Sequence, residues 1–242
     1  MRFKIRLKAT SQSTRLSLSY NSRLASAIEL WLTCLLDTSS PPGFVFSRIV
    51  VKSKVINYRN STMRLCSPAA HVYVSLRKEE PAVEQRWQTL VGSRAGLGLD
   101  GDDLVFEGIE IVEEPSWTRC MRFRLLSPAA IQDGHGEWLL ADSPMLGEAI
   151  RSDLLARYKK CVDATVRYDE EFEAVVDSAY VANRGGGEGV MKHVRLEGAD
   201  EETRDVRAFL CPITVSGNPD LIAFAHRTGI GSLGPKGLGM MG

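Results

Sequence analysis

The sequence lacks any apolar run near the roughly eighteen residues that would cross a membrane. It also lacks a signal-peptide pattern. Arg2, Lys4, Arg6 and Lys8 alternate with Phe3, Ile5 and Leu7, whereas an export signal sets a basic stretch before an unbroken apolar one. The expectation is a cytoplasmic protein with no membrane association. Cysteine is scarce and scattered. Cys34, Cys66, Cys120, Cys161 and Cys211 stand singly with no CxxC pair, which argues against both a disulfide framework and a zinc site. No motif calls for a metal or a cofactor. Aromatic residues are only 7% of the chain, while 44% is hydrophobic and 25% charged. That composition is ordinary for a globular protein, and 242 residues suffice for one large domain or two small ones.

What the chain has is charge that is balanced in total and uneven in place. Residues 1–64 hold eleven basic residues against two acidic ones, Glu29 and Asp37, a net of +9. The remainder carries −9. Such asymmetry in a neutral chain points to a polyanionic partner for the N-terminal part. A solvated basic surface is the plainer alternative.

Periodicity orders the elements. Residues 2–9 alternate basic and apolar, so a strand would turn Phe3, Ile5 and Leu7 to a core and Arg2, Lys4, Arg6 and Lys8 to the other face. Residues 22–36 read as a helix, with Leu24, Ile28, Trp31, Leu32 and Leu35 at helical spacing. Pro41-Pro42-Gly43 breaks the chain. Residues 44–55 read as a strand carrying Arg48, Lys52 and Lys54, then 71–77 as a strand, 81–91 as a helix and 104–112 as a strand. This β-α-β-β-α-β order is the ferredoxin-like unit. A looser copy follows: strand 121–126 with Arg122 and Arg124, helix 146–162, strands 172–181, 190–196 and 206–215, and a short helix 220–226. Residues 183–189 read as a flexible hairpin tip. The expected fold is α+β, with tandem ferredoxin-like domains at 1–115 and 116–242 and a C-terminal glycine-rich loop.

That loop begins Gly229-Ile230-Gly231-Ser232-Leu233-Gly234-Pro235-Lys236-Gly237. Glycine permits positive φ and close approach of backbone to a ligand, and successive N–H groups make an anion-binding concavity. Lys236 adds a charge. Gly229, Gly231, Ser232, Gly234, Lys236 and Gly237 are therefore candidate phosphate contacts. The spacing is neither a Walker loop nor a dinucleotide fingerprint.

The order of these features resembles the CRISPR-associated repeat-RNA endoribonucleases, the Cas-six family of the RAMP superfamily. The opening strand, Leu18-Ser19-Tyr20-Asn21 before the first helix, Phe44-Val45-Phe46-Ser47-Arg48, Phe123-Arg124-Leu125-Leu126-Ser127-Pro128, Arg157-Tyr158-Lys159-Lys160 and the closing glycine pairs all resemble family segments. The resemblance implies two ferredoxin-like domains facing each other across a basic cleft. It implies binding of a CRISPR repeat stem-loop and metal-independent cleavage by the ribose 2′-hydroxyl, leaving a 2′,3′-cyclic phosphate. The crRNA product would stay bound, with other subunits of a CRISPR effector complex as partners; a homodimer stays open. Arg2, Lys4, Arg6, Arg48, Arg122, Arg124 and Arg227 are then candidate RNA contacts, because an A-form stem is recognised largely through its backbone and shape. Trp31 reads as core, and base stacking by Trp87, Trp117 or Trp138 is a minority reading.

One departure matters. The family's histidine between the first helix and second strand is missing, since residues 36–43 contain none. A serine there does not exchange protons near neutral pH as imidazole does. His226, three residues before the loop, is the candidate substitute. Lys52, Lys54 and Arg227 are a second option, orienting the phosphate and stabilising its charge without a matched proton shuttle. The third option is a non-catalytic crRNA-binding subunit. Further alternatives are a RAMP protein that caps or paves the guide, and a small-molecule-binding ferredoxin-like protein, for which the N-terminal charge has no use.

Overall fold

The computed structural model describes residues 1–11, 13–39, 43–96, 103–161, 171–197 and 203–242. The expected break at Pro41-Pro42 and the helix end at Val162 lie outside the described residues. Among those residues, helices and strands mix in an α+β fold. The chain divides into two compact units, Met1–Glu114 with Leu196–Arg204, and Pro115–Arg195 with Asp205–Gly242.

The first unit contains β1 Arg2–Ala9, β2 Arg15–Ser17, α1 Asn21–Leu36, β3 Phe44–Phe46, β4 Val50–Val51, β5 Lys54–Asn57, β6 Thr62–Leu65, β7 Ala69–Leu76, α2 Pro81–Arg86, β8 Arg94–Ala95 and β9 Leu104–Val112. Its main sheet runs β3-β7-β1-β9-β8, with β4 also on β7. β1 and β3, joined through α1, are separated by β7; β7 and β9, joined through α2, are separated by β1. That is the split βαβ arrangement of a ferredoxin-like unit. The alternation in β1 is the cause. Phe3, Ile5 and Leu7 all bury on one face, where α1 supplies Leu24, Ile28, Trp31, Leu32 and Leu35. Trp31 stands edge-on to Phe106 at 5.3 Å between ring centroids. Each such side chain contributes about 1.5–3 kcal/mol by leaving water.

The second unit contains β10 Cys120–Phe123, α3 Leu146–Cys161, β11 Phe172–Val176, α4 Ser178–Asn183, α5 Gly186–Val190, most of β12 Met191–Glu197 and of β13 Thr203–Phe209, β14 Ile213–Gly217 and α6 Pro219–Thr228. Its sheet runs β10-β14-β11, and β12 pairs with β13. The chain end fills the fourth place. Gly242 N–H donates to Arg124 O at 2.8 Å, Arg124 N–H donates to Gly242 O at 3.0 Å, and Leu126 N–H donates to Met240 O at 2.7 Å. The split βαβ pattern therefore recurs, with the β12–β13 hairpin inserted. α6 starts where Asn218 Oδ1 accepts from Asp220 N–H at 2.8 Å and Pro219 takes the first turn.

Several expected elements are redrawn. The strand expected over 44–55 is broken at Ser47, because Ser47 Oγ takes the N–H of Tyr73 at 2.9 Å and the Tyr20 hydroxyl accepts from Ile49 N–H at 3.0 Å. β4 then returns to β7, while β5 leaves for a separate sheet, β2-β6-β5, that periodicity did not reveal. The helix expected over 81–91 ends at Arg86 and continues as a 3-10 turn over Trp87–Leu90. The strand expected over 172–181 stops at Val176, where the Asp177 carboxylate accepts from Tyr180 N–H at 2.9 Å and caps α4. Residues 183–189 form a helix end and a short helix rather than a hairpin tip. The strand expected over 206–215 splits around Leu210-Cys211-Pro212, since proline has no N–H for a ladder.

Candidate nucleic-acid interface

The glycine run does two jobs that its sequence does not separate. Ile230 N–H donates to Gly239 O at 2.9 Å, Gly239 N–H to Pro128 O at 2.7 Å, and Met240 N–H to Ser127 Oγ at 2.9 Å. A Cβ on Gly239 would lie 1.9 Å from Ile230 O, and one on Gly231 would lie 2.5 Å from Ala130 O. These glycines let one backbone lie on another. Gly229, Gly231, Gly234 and Gly237 are buried, whereas Ser232, Pro235 and Lys236 are exposed. The cradle expected along the whole run thus narrows to its outer turn. There, among the described residues, the N–H groups of Gly231, Ser232 and Leu233 make no hydrogen bond within the protein. Three successive free donors, a few residues before the exposed Lys236, suit an anion.

Arg157 holds this turn from beneath. From α3 its guanidinium donates to Asp153 Oδ2 at 2.9 Å, to Thr228 Oγ1 at 2.8 Å and to Gly229 O at 3.0 Å. The sequence marks Arg157 only as part of a segment resembling the family's long helix, with no role for its side chain. Its only local signal is the Asp153/Arg157 spacing of four, which does not say what lies across from it.

His226 is not placed as expected for a catalyst. It is 4% exposed on α6, with its ring 4.9 Å from that of Trp117 and 5.5 Å from that of Phe123. The apolar stripe of α6, with Leu221, Ile222 and Ala225, draws it into the core. Trp117 is thereby a packing residue. Arg227, next along α6, is half-buried.

The basic face of β1 needs two corrections. Arg2 is 4% exposed, not surface-lining, and burial pulls its guanidinium down to about 10 against the opposing pull of Glu114. Lys4 and Arg6 are engaged by Glu110 on β9 at 3.1 and 3.5 Å, and Lys8 by Glu107 at 3.9 Å. The acids sit across the ladder because β9 pairs directly with β1. The Lys4 hydrogen bond is the main cause holding the Glu110 carboxyl below its usual range. On the same face His71 titrates below an ordinary histidine, chiefly through partial burial and then through the Lys4 charge.

Arg48, Lys52 and Lys54 lie in the first unit and are exposed. Lys54 is shifted downward by burial and by the like charge of Arg48. Arg122 and Arg124 are exposed in the second unit, where Arg122 forms an ion pair with Asp177. The exposed candidates therefore fall into four groups: the outer glycine turn with Lys236, the ion-paired face of β1, the cations between Arg48 and Lys54, and Arg122 with Arg124. Among the described residues, no three His, Cys, Asp or Glu side chains are grouped to hold a metal, and no helix is long and apolar enough to cross a membrane.

Two split βαβ units, the second closed by a glycine-rich run, define a protein of tandem ferredoxin-like architecture. Residues 112–242, more than half the chain, match the family model for CRISPR associated protein Cas6, C-terminal, and the chain belongs to that family. It is similar in structure to a Cas6-related protein from Pyrococcus furiosus, with a TM-score of 0.78 at 20% identity over 100% of this chain and 97% of that one. A RAMP protein described as binding different RNA substrates aligns with a TM-score of 0.76 at 20% identity, over 100% and 98%. A CRISPR associated protein Cas6 aligns at 0.74 and 18% identity, over 100% and 98%. No curated protein matches the sequence.

Proposed function

We propose that this protein binds CRISPR repeat RNA and processes it. The observation that carries the binding is the outer turn of the glycine run, with three successive N–H groups that make no hydrogen bond among the described residues, in a chain of the Cas6 family. The likeness to a RAMP protein described as binding different RNA substrates supports the same partner. The domains taking part are 1–115 and 116–242. Cleavage proceeds by attack of the ribose 2′-oxygen on the adjacent phosphorus. The P–O5′ bond breaks, the 2′-hydroxyl loses a proton and the 5′-oxygen gains one. The products are a 2′,3′-cyclic phosphate and a 5′-hydroxyl. The nucleophile belongs to the RNA, so the step asks for charge stabilisation more than for a metal-bound water. Arg48, Lys52 and Lys54 supply cations for it. The protein then remains on the crRNA within an effector complex.

A specific observation favours a second reading. His226 sits in the core, and residues 36–43 hold no histidine. A chain whose candidate substitute histidine is buried suits a subunit that holds the crRNA without cutting it. Incubation with labelled repeat RNA in EDTA separates the two. Cleavage that persists and leaves a cyclic phosphate supports the enzyme, and it should fall in Lys52→Ala and Lys54→Ala while persisting in His226→Phe. Salt-sensitive binding of intact RNA supports the subunit. Absence of both with any structured RNA sinks the proposal.

A further inference from the structure

We infer that the small sheet β2-β6-β5, with the β5–β6 hairpin tip, is a second RNA contact that takes an unpaired stretch of RNA, with Tyr58 stacking on a base. The inference rests on the RNA-binding reading for the identity of the polyanion. It concerns residues apart from the glycine turn and the β1 face.

The sheet's two faces differ sharply. Pairing sets Leu16 beside Met63 and Ile56, and sets Arg15 beside Arg64 and Val55. On the first face Leu16, Met63 and Leu65 are buried in the core of the first unit, while Ile56 and Lys54, on the edge strand β5, are exposed. Arg15, Arg64 and Val55 are exposed on the opposite face. Arg15 and Arg64 stand directly across the ladder. Like charges so placed lower a sheet's stability, and a polyanion lying over them reverses the sign. No Asp or Glu occurs between Asp37 and Glu79 in the sequence. Among the described residues, Lys52, Lys54, Arg59 and Arg64 make no ion pair, in contrast to the neutralised cations of β1. Lys54 is shifted downward first by partial burial and then by the like charge of Arg48.

The tip adds the second ingredient. A four-residue loop joins Asn57 to Thr62, with Asn57 Oδ1 accepting from Asn60 N–H at 3.2 Å and Ser61 in the left-handed region at φ 49. This loop leaves the Tyr58 ring 80% exposed beside Arg59, the most exposed of the large hydrophobic side chains among the described residues. An aromatic ring held out by a turn has no packing role. A ring among unneutralised cations is the arrangement by which proteins bind single-stranded nucleic acid: bases stack and phosphates are neutralised. A paired stem hides its base faces, so the ring selects unpaired nucleotides.

The test uses the full chain and a labelled stem-loop repeat RNA, bare or carrying an oligouridine extension, followed by fluorescence anisotropy. The extension should tighten binding. Tyr58→Ala should remove about 5- to 100-fold of affinity for the extended RNA and leave the bare stem-loop unaffected. Tyr58→Phe should keep the ring and the affinity. Arg64→Gln should lower the salt slope by about 0.7, one phosphate contact on a single strand. Equal affinity of Tyr58→Ala and wild type for the extended RNA overturns the inference. So does competition by polyglutamate as effective as by oligouridine, which would give the surface to an acidic protein. If wild type binds the bare stem-loop but gains nothing from the extension, this inference alone fails. If it binds neither, the RNA-binding reading fails with it.

Discussion

Replacing Arg157 by methionine should loosen the glycine turn without emptying the space beneath it. Methionine keeps most of the aliphatic stem and removes all three donors. Two of the lost hydrogen bonds go to neutral acceptors, Thr228 Oγ1 and Gly229 O, and the third is an ion pair with Asp153. The guanidinium is 22% exposed and Asp153 26%, so water recovers part of the ion pair. Thr228 keeps its own bond to Phe224 O at 2.9 Å, and the Gly229 carbonyl is left with only the long 3.4 Å contact from the Thr228 hydroxyl. About 1 kcal/mol for each neutral bond and less than that for the ion pair gives about 2–3 kcal/mol. In a chain of this size that lowers the melting temperature by about 5–10 °C. Thermal unfolding by circular dichroism reads the stability, and anisotropy with stem-loop RNA reads the turn. Asp153→Asn is the control: it weakens one contact and leaves both loop contacts. If Asp153→Asn costs as much as Arg157→Met, the ion pair and not the loop anchor carries the effect. If Arg157→Met changes neither melting nor RNA affinity, the reasoning is wrong.

Gly239→Ala should cost more than about 3 kcal/mol, since a Cβ 1.9 Å from Ile230 O adds a clash to the strain of φ +80. Gly185→Ala, at φ +93 with nothing within 4 Å, should cost only about 1–2 kcal/mol; equal losses in urea titrations would contradict the close-approach argument. Glu110→Gln should tighten binding to any polyanion and steepen its salt dependence, because Lys4 and Arg6 lose their carboxylate; an unchanged slope would show that the β1 face takes no phosphate. His71 has a folded-state pKa below its ordinary value of about 6.5, so the unfolded chain binds its proton first and stability falls as pH drops below about 6.5. His71→Gln should flatten the stability curve there, and an unaltered curve would place the pH dependence elsewhere.

Much of the fold was legible because strands and amphipathic helices announce themselves by period. β1 and β9 lie close to where alternation puts them, and α1 and α3 follow their apolar stripes. The misses share a cause. Residues 44–55 look continuous, yet one serine hydroxyl substitutes for a ladder partner and sends β5 to another sheet. Residues 172–181 and 206–215 hide their breaks in an aspartate cap and a proline, single residues inside otherwise extended patterns. Around the candidate site, the glycines were visible but their division of labour was not, and the Arg157 segment was visible but not what its guanidinium reaches.

The sequence by itself determined the α+β class, the repeated βαβ order, the cation-rich N-terminal part and the flexible-backbone run at the end. These follow from composition and from interactions among near neighbours. Only the tertiary structure decided which cations stay available. Lys4, Arg6 and Lys8 meet Glu107 and Glu110, about a hundred residues away in sequence, because β9 pairs with β1. Arg2 and His226 are withdrawn from the surface by packing against residues equally remote. Arg64 stays exposed because its strand buries Met63 and Leu65 on the opposite face, and Tyr58 because the β5–β6 loop holds it out. Charge and ring type are properties of one residue, whereas neutralisation and burial depend on what the fold sets beside it.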